Sequence, residues 1–180
     1  GGDIVETAFL VEGLLAVRQW LADSDDPAEK ELAERCDKLW KGVEWDWYTR
    51  GEDALYWHWS KQYDWKMSHK IRGFDETFIT YVLGVSSPTH PISPKVYDSC
   101  YRNSSYYHNG NEYYGIKLDL GMEYGGPLFF THYSYIGLDP KAVVVDGSNL
   151  YERNKAHSLI HYNYAIDNPK GHEGLGADLW

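Results

Sequence analysis

Three carboxyl groups in this chain have the type and spacing that acid–base chemistry requires. Asp3 and Glu6 lie three residues apart in an apolar segment, so on a helix their side chains would be neighbours, about 5–6 Å apart at Cβ. Glu76 lies in a second segment of this kind, residues 73–86. Like charges held together in a partly desolvated cleft raise the pKa of one carboxyl, which is what a general acid needs.

A local explanation of these acidic residues is also available. Asp75 and Glu76 follow Gly73 in the predicted first turn of a helix, where the helix dipole favours negative charge. The arrangement recurs, because residues 1–6 open an apolar helix with two glycines and two carboxyls, and residues 124–127 (Tyr-Gly-Gly-Pro) open a third. The repetition favours a functional interpretation, provided that the three helix starts meet in space.

The composition indicates the class of partner. The chain has 180 residues, 43% of them hydrophobic, which suits one domain with a sizeable core. A net charge of −10 argues against binding to nucleic acid or to an anionic membrane surface. Eight Trp and sixteen Tyr exceed what a small core needs. Many of these rings must pack between helices, but aromatic faces with polar tips also suit sugars. Carboxyl groups flanked by such rings are the equipment for hydrolysing a glycosidic bond.

No metal site and no cofactor are expected. Cys36 and Cys100 are far apart and form no Cys-x-x-Cys pair. His157 and His161 share a helix face, but they lack the His-Glu-x-x-His pattern and their helix is predicted to lie on the outside. The chain also contains no apolar run of the length that a membrane-spanning helix requires.

The predicted elements must position the carboxyls. Apolar periodicity and capping residues predict six helices that alternate between inner and outer positions: 3–22, 27–44, 73–86, 93–102, 126–136 and 148–166. Connections from inner to outer helices are short, whereas those from outer to inner helices, 46–72 and 103–124, are long and aromatic. Each long connector is predicted to contain a short β-hairpin, the second with Asn109-Gly110 as its turn.

This alternation predicts an all-α toroid. Successive antiparallel helices place the long connectors and the N-termini of the inner helices at one end, where a functional surface is expected. Seven residues of interest fall at that end: Asp3, Glu6, Trp57, His58, Glu76, Tyr124 and Trp180. His90 falls at the opposite end, where a structural role is expected.

The same residues carry a resemblance to a known family. The matching signatures run in order over almost the whole chain: residues 3–10, 42–48, 55–59, 87–92, 124–134 and 137–140. They resemble the bacterial glucoamylase-like hydrolases, best known as endo-β-1,2-glucanases and related to a domain of cyclic β-1,2-glucan synthases.

The resemblance implies a fold, a reaction and roles for residues. The fold is an (α/α)6 barrel, and the reaction is inverting hydrolysis of β-1,2-glucan without a metal, in a periplasmic or secreted protein. Asp3, Glu6 and Glu76 align with the catalytic carboxylates of the family, with Glu76 as the favoured general acid. Trp47 and His132 lie in matching signatures and join Trp57, His58, Tyr124 and Trp180 as expected substrate-binding residues.

One departure from the family matters. Three helix pairs make about half of a six-pair barrel, so residues 1–180 are expected to form a single domain that is the central fragment of a larger catalytic domain. A carboxylate outside this chain could then be the base, and exposed inner-helix faces could support self-association. Two alternatives stay open: a carbohydrate-binding toroid without catalysis, and a transglycosylase of the cyclic glucan synthase type.

Overall fold

Residues 2–178 are described in a computed structural model, which is helical with short strands. The helices are α1 (Ile4–Trp20), α2 (Pro27–Lys41), α3 (Phe78–Ser86), α4 (Pro94–Val96, continued as a π-helix over Tyr97–Arg102), α5 (Phe129–His132, continued as a 3₁₀-helix over Tyr133–Ile136) and α6 (Leu150–Asp167). Single 3₁₀ turns cover Asp46–Thr49, Glu123–Gly125 and Pro140–Ala142. None of the described helices is long and apolar enough to cross a membrane.

Six short strands form three antiparallel pairs. They are β1 (Gly2–Asp3), β2 (His58–Trp59), β3 (His108–Tyr113), β4 (Ile116–Leu120), β5 (Val144–Val145) and β6 (Ser148–Asn149). Strand β1 pairs with β2, β3 with β4, and β5 with β6. The first of these pairs joins the start of the chain to the middle of the 46–72 connector, which is the pairing that matters for the site.

Capping residues fix the starts of the three longest helices. The carboxylates of Asp3 and Asp26 and the side-chain oxygen of Asn149 accept backbone N–H groups from the first turns of α1, α2 and α6. Each of them satisfies a donor that would otherwise have no partner. The predictions for these three helices are confirmed to within a few residues at each end.

The core lies where α1 packs against α2 and α3. From α1 it includes Ile4, Val5, Ala8 and Val11, which contact a cluster that contains Trp40, Trp45, Phe78 and Ile79. Large exposed apolar side chains occur on α1, α3 and α5, such as Leu10, Val85 and Ile136. They also occur on α2 and α6, at Leu39 and Leu159 for example, so exposure does not separate inner from outer helices.

The prediction that Asp75 and Glu76 occupy the first turn of a helix was wrong, because α3 begins at Phe78. The Asp75 carboxylate accepts hydrogen bonds from the backbone and the hydroxyl of Thr77, at 3.0 and 2.5 Å. The Tyr101 hydroxyl accepts the N–H of Asp75 at 3.1 Å and donates to its carbonyl at 3.0 Å. Such side-chain bonds to the backbone compete with helical ones, and here they keep residues 74–77 outside the helix.

Both hairpin predictions need correction. The hairpin of the second connector exists, but its turn is Tyr114-Gly115, where both residues have positive φ, at 55° and 72°. Asn109-Gly110 instead forms a bulge inside β3, and the Asn109 amide donates to the carbonyls of Gly121 and Met122. In the first connector, β2 pairs with β1, and the predicted hairpin is reduced to two isolated antiparallel bridges, Tyr56 with Lys70 and Ser60 with Asp64.

Gly73 lies close to the Tyr101 ring, and this contact can be tested by substitution. A Cβ at Gly73 would lie 2.0 Å from the buried Tyr101 ring, whereas one at Gly13 would meet nothing within 4 Å. Gly73→Ala should therefore lower the free energy of unfolding by about 1–3 kcal/mol through overpacking. Gly13→Ala, inside α1, should raise it by roughly 0.5–1 kcal/mol. Urea unfolding of both variants checks this, and equal midpoints would contradict it.

Candidate active site

Asp3 is held by four groups at the start of α1. Its Oδ1 accepts the N–H groups of Val5 and Glu6, each at 3.0 Å. Its Oδ2 accepts the indole N–H of Trp57 at 3.1 Å and lies 3.2 Å from His58 Nε2. Both carboxylate oxygens are therefore occupied, and the carboxylate has one fixed orientation.

The pairing of β1 with β2 produces this arrangement. Asp3 is opposite His58 in the register, and the Ile4 N–H donates to the Trp57 carbonyl at 3.1 Å. The rings of Trp57 and His58 stack 5.6 Å apart at an interplanar angle of 12°. The structure thus brings together Asp3, Trp57 and His58 as predicted, through a strand pair that the sequence pattern did not indicate.

Glu6 lies in the first turn of α1 and is exposed. The sequence predicted that Asp3 and Glu6 would share a helix face. In fact Asp3 is the N-cap and has extended backbone (φ −120°, ψ 110°). Its carboxylate accepts the backbone N–H of Glu6. Glu6 is thus the exposed member of this pair, whereas both carboxylate oxygens of Asp3 already accept hydrogen bonds.

Glu76 is a partly buried carboxyl with a raised pKa. Burial, together with the negative charges of Asp75 and Glu6, raises the pKa of Glu76 to about 7, although its own backbone N–H offsets part of the effect. Its Oε2 is buried and has no hydrogen-bond partner among residues 2–178. A carboxyl that is substantially protonated near neutral pH is suited to donate a proton to a leaving group.

The backbone on both sides of the Glu76 side chain is fixed by distant residues. The buried Ser134 hydroxyl donates to the Glu76 carbonyl at 3.0 Å and accepts the Ile79 N–H at 3.1 Å. Tyr101 holds Asp75 as described above. Burial raises the pKa of Asp75 to about 6. Asp75 and Glu76 therefore change their protonation states over a similar pH range.

Each long connector brings a tyrosine close to the carboxyls. Burial raises the pKa of Tyr48, with a smaller contribution from the charge of Asp3. Burial also raises the pKa of Tyr106, and here the contributing charges include Asp75 and Glu76. A tyrosine from each long connector therefore lies near at least one of the carboxyls.

A buried arginine contacts the residue that precedes Asp75. Arg153 on α6 donates to the Leu120 carbonyl at 2.9 and 3.2 Å, and its guanidinium lies 5.0 Å from the Phe74 ring. It also bonds Thr131. These contacts tie β4, α5 and α6 to the residue that precedes Asp75, so they help to fix the segment that carries Glu76.

His157 and His161 hold a loop. Nε2 of each ring lies 2.8 Å from the Gly126 carbonyl, in the loop before α5. Burial, together with the charge of Arg153, lowers the pKa of His157 to about 3, and burial also lowers the pKa of His161. Both rings are thus neutral and act as hydrogen-bond donors to this loop. Residues 2–178 contain no group of three or more His, Cys, Asp or Glu side chains arranged to hold a metal ion.

The other predicted binding residues lie in different surroundings. The Trp47 ring packs against Trp59 and Trp65 in the first connector, with centroids 5.2 and 4.7 Å apart. Tyr124 packs on Tyr113 at 4.3 Å and lines a cavity of about 530 Å³ beside α6. His132 is exposed on α5, and Trp180 lies outside the described residues.

His90 occupies the position that the sequence predicted. Its N–H donates to the Ser87 hydroxyl at 3.1 Å, and its Nδ1 lies 3.2 Å from Asp46 Oδ1. It follows the C-terminal end of α3, whereas Glu76 precedes the N-terminal end. The length of α3 therefore separates His90 from the carboxyl site.

Comparison with known proteins identifies the family of this chain. A family model described as "Putative glucoamylase" matches residues 68–180, which include Glu76 and its supporting residues. The chain belongs to this glucoamylase-like family. Similarity to individual relatives extends over the remaining residues, including Asp3 and Glu6.

Two of the similar proteins are named for activities on β-1,2-glucans. The exo-β-1,2-glucooligosaccharide sophorohydrolase (non-reducing end) of Parabacteroides distasonis is 42% identical over 199 residues, covering 100% of this chain and 28% of the relative. A crystal structure from Bacteroides uniformis, described in the same words as the family, is 49% identical with a TM-score of 0.93 over 98% of this chain and 43% of its own. The endo-β-1,2-glucanase of Chitinophaga pinensis, solved with sophorotriose and glucose, is 44% identical with a TM-score of 0.91 and the same coverage. The chain spans less than half of each relative.

Sequence reasoning about this glucoamylase-like chain missed the residues that hold Glu76. Tyr101, Ser134 and Arg153 are buried polar residues whose partners lie 26 to 58 residues away. Their neighbours in the chain give no periodic pattern that distinguishes them from core positions. Ser134 lies inside the matching signature 124–134, and this was the one feature of the sequence that could have pointed to a supporting residue.

Ser134→Ala tests the support of Glu76. The change leaves the buried N–H of Ile79 and the carbonyl of Glu76 without this partner, and an unsatisfied buried group costs about 1–3 kcal/mol. We expect the free energy of unfolding, measured in urea, to fall by that amount. Ser105→Ala, at an exposed position, is the control and should stay within roughly 0.5 kcal/mol of the original protein. Equal effects of the two changes would rule out the support role.

Proposed function

We propose that this chain is the central part of a glycoside hydrolase domain that cleaves β-1,2-glucan with inversion at the anomeric carbon. One observation carries the proposal. Glu76 is a partly buried carboxyl whose pKa is raised to about 7, with one buried oxygen that has no partner among the described residues, near Glu6. The activities for which the relatives are named supply the substrate class.

In this mechanism Glu76 is the general acid. Protonated, it donates its proton to the glycosidic oxygen as the bond to the anomeric carbon breaks. A water molecule attacks the anomeric carbon from the opposite face and loses a proton to a base. After the cycle Glu76 is ionised and regains a proton from solvent.

The base must be a second carboxylate with accessible oxygens. Inverting enzymes separate the two carboxyls by about 6.5–9.5 Å, which leaves room for the water. Glu6 is exposed and close enough for its charge to act on Glu76. Asp3 has both oxygens occupied, so we assign it to orienting Trp57 and His58 rather than to proton transfer. The two candidates for the base are therefore Glu6 and a carboxylate outside this chain.

The architecture that we propose is half of an (α/α)6 barrel. The chain covers 43% of the Bacteroides uniformis and Chitinophaga pinensis structures. The predicted inner helices α1, α3 and α5 carry exposed apolar side chains that further helices of the same protein, or a second copy, could cover. A periplasmic or secreted location follows from the resemblance alone, and cell fractionation would test it.

Glu76→Gln in the full-length protein should abolish most hydrolysis. Loss of a general acid typically lowers the rate by about 10²–10⁴-fold, while the amide keeps the shape of the side chain. Release of reducing ends from β-1,2-glucan, with laminarin and starch as substrate controls, measures the effect. Glu34→Gln, at an exposed position of α2, should retain full activity. Near-normal activity of Glu76→Gln would remove it from the mechanism, and binding without hydrolysis by the original protein would favour a carbohydrate-binding toroid.

The raised pKa of Glu76 predicts how activity depends on pH. Because the acid must be protonated, kcat/KM should fall as the pH rises through about 7. Asp75→Asn keeps the acceptor for Thr77 but removes a negative charge that raises the pKa of Glu76. The alkaline limb of the pH profile should therefore move to lower pH in this variant. A limb that stays in place would show that it does not report Glu76.

The stereochemistry of the product gives a separate test. Inversion at a β-linkage produces the α-anomer first, and NMR of the early reaction detects it before mutarotation. An initial β-anomer would mean retention, a nucleophilic carboxylate and carboxyls only about 5–5.5 Å apart.

A further inference from the structure

A cavity lies beside Asp3. Its volume is about 780 Å³, within the roughly 300–1,000 Å³ that is usual for small-molecule sites. The residues that line it include Asp3, His58, Trp59, Tyr63, Lys66 and Met67. The cavity is thus continuous with the group that orients Trp57 and His58.

Residues 58–67, which contribute most of the lining, are already ordered by hydrogen bonds within the segment. Ser60 and Asp64 exchange backbone bonds of 3.2 and 2.7 Å, and the Lys66 N–H donates to the Tyr63 carbonyl at 2.9 Å. Trp65, in the same segment, packs against Trp47 at the start of the first connector. A ligand would therefore meet preformed walls, and little conformational entropy would be lost on binding.

The side chains of this segment suit a neutral, hydroxylated ring. Tyr63 is 56% exposed and Met67 is 67% exposed, although the backbone that carries them is ordered. Aromatic and thioether groups contact the apolar face of a sugar, while hydroxyl and ammonium groups bond its hydroxyls. Two acidic side chains, Asp3 and Asp64, and one cationic side chain, Lys66, line the cavity. This balance of charge does not favour an anionic ligand.

We propose that the cavity between Asp3 and residues 58–67 is a subsite for a glucosyl unit of the glucan chain. Tyr63 supplies the ring on which the sugar stacks, Lys66 donates to its hydroxyls, and Met67 contacts its apolar face. This inference rests on the proposed function. It assigns to residues 58–67 a part in binding the glucan chain beyond the reacting unit, and so in the preference for chain length.

The test is the steady-state kinetics of the full-length protein on β-1,2-linked glucooligosaccharides of increasing length. Tyr63→Ala should raise KM by about threefold to tenfold on substrates long enough to fill the cavity, as expected for the loss of one aromatic contact. Its kcat should stay within about twofold, because Tyr63 does not touch the reacting atoms. Tyr63→Phe, which keeps the ring, should restore the original KM. Tyr114→Ala, at an exposed position of the β3–β4 turn, is the matched control and should change neither constant.

The outcomes separate this inference from the proposed function. If the original protein does not hydrolyse β-1,2-glucan, the proposed function itself fails. If it does, and Tyr63→Ala keeps the original KM at every length or lowers only kcat, the subsite is overturned. Unfolding midpoints show whether each variant is folded. Should Tyr63→Ala not fold, Met67→Ala must show the same length-dependent rise in KM, and its absence would overturn the subsite equally.

Discussion

The position of Glu76 depends on hydrogen bonds that keep residues 74–77 out of the helix that follows them. Tyr101 bonds both backbone groups of Asp75, and Ser134 bonds the Glu76 carbonyl and the Ile79 N–H. These partners come from α4 and α5, so the carboxyl is oriented only when both helices are packed against α3. The contacts that form when this region folds therefore also preorganise the site. They hold the backbone of Glu76 rather than its side chain.

Asp3 performs the equivalent task at the start of α1. One of its oxygens caps the helix, and the other holds Trp57 and His58, which lie more than fifty residues along the chain. A residue that ends a strand, caps a helix and orients two aromatic rings has little freedom to move. We therefore regard Asp3 as the anchor of the first connector and Glu6, with its exposed side chain, as the group free to take part in chemistry.

The elements that local sequence determines were predicted, and those that depend on distant partners were not. The starts of α1, α2 and α6 follow from capping residues within three positions of each helix. The start of α3 was misplaced because Tyr101 and Ser134 compete for its first backbone groups. The hairpin turn was misplaced because the Asn109 amide bonds to carbonyls beyond β4, which moves the turn to Tyr114-Gly115. For the site, residue types and resemblance indicated Asp3, Glu6 and Glu76, but neither could reveal the buried Arg153 behind them.

A raised pKa does not by itself identify the catalytic acid, as Glu12 demonstrates. Glu12 lies on α1 against Gly137, both of its oxygens are buried without a hydrogen bond of good geometry, and burial raises its pKa to about 7, as for Glu76. Each of these carboxyls binds its proton more tightly in the folded than in the unfolded chain. Each therefore lowers stability as the pH rises from its ordinary pKa of 4.5 towards about 7, and neither does so below that range. What distinguishes Glu76 is its neighbours, because Asp75, Glu6 and Tyr106 surround it whereas Glu12 faces a glycine turn. The assignment of the acid thus follows from which charges and which connector lie beside it, and the raised pKa only makes that role chemically workable.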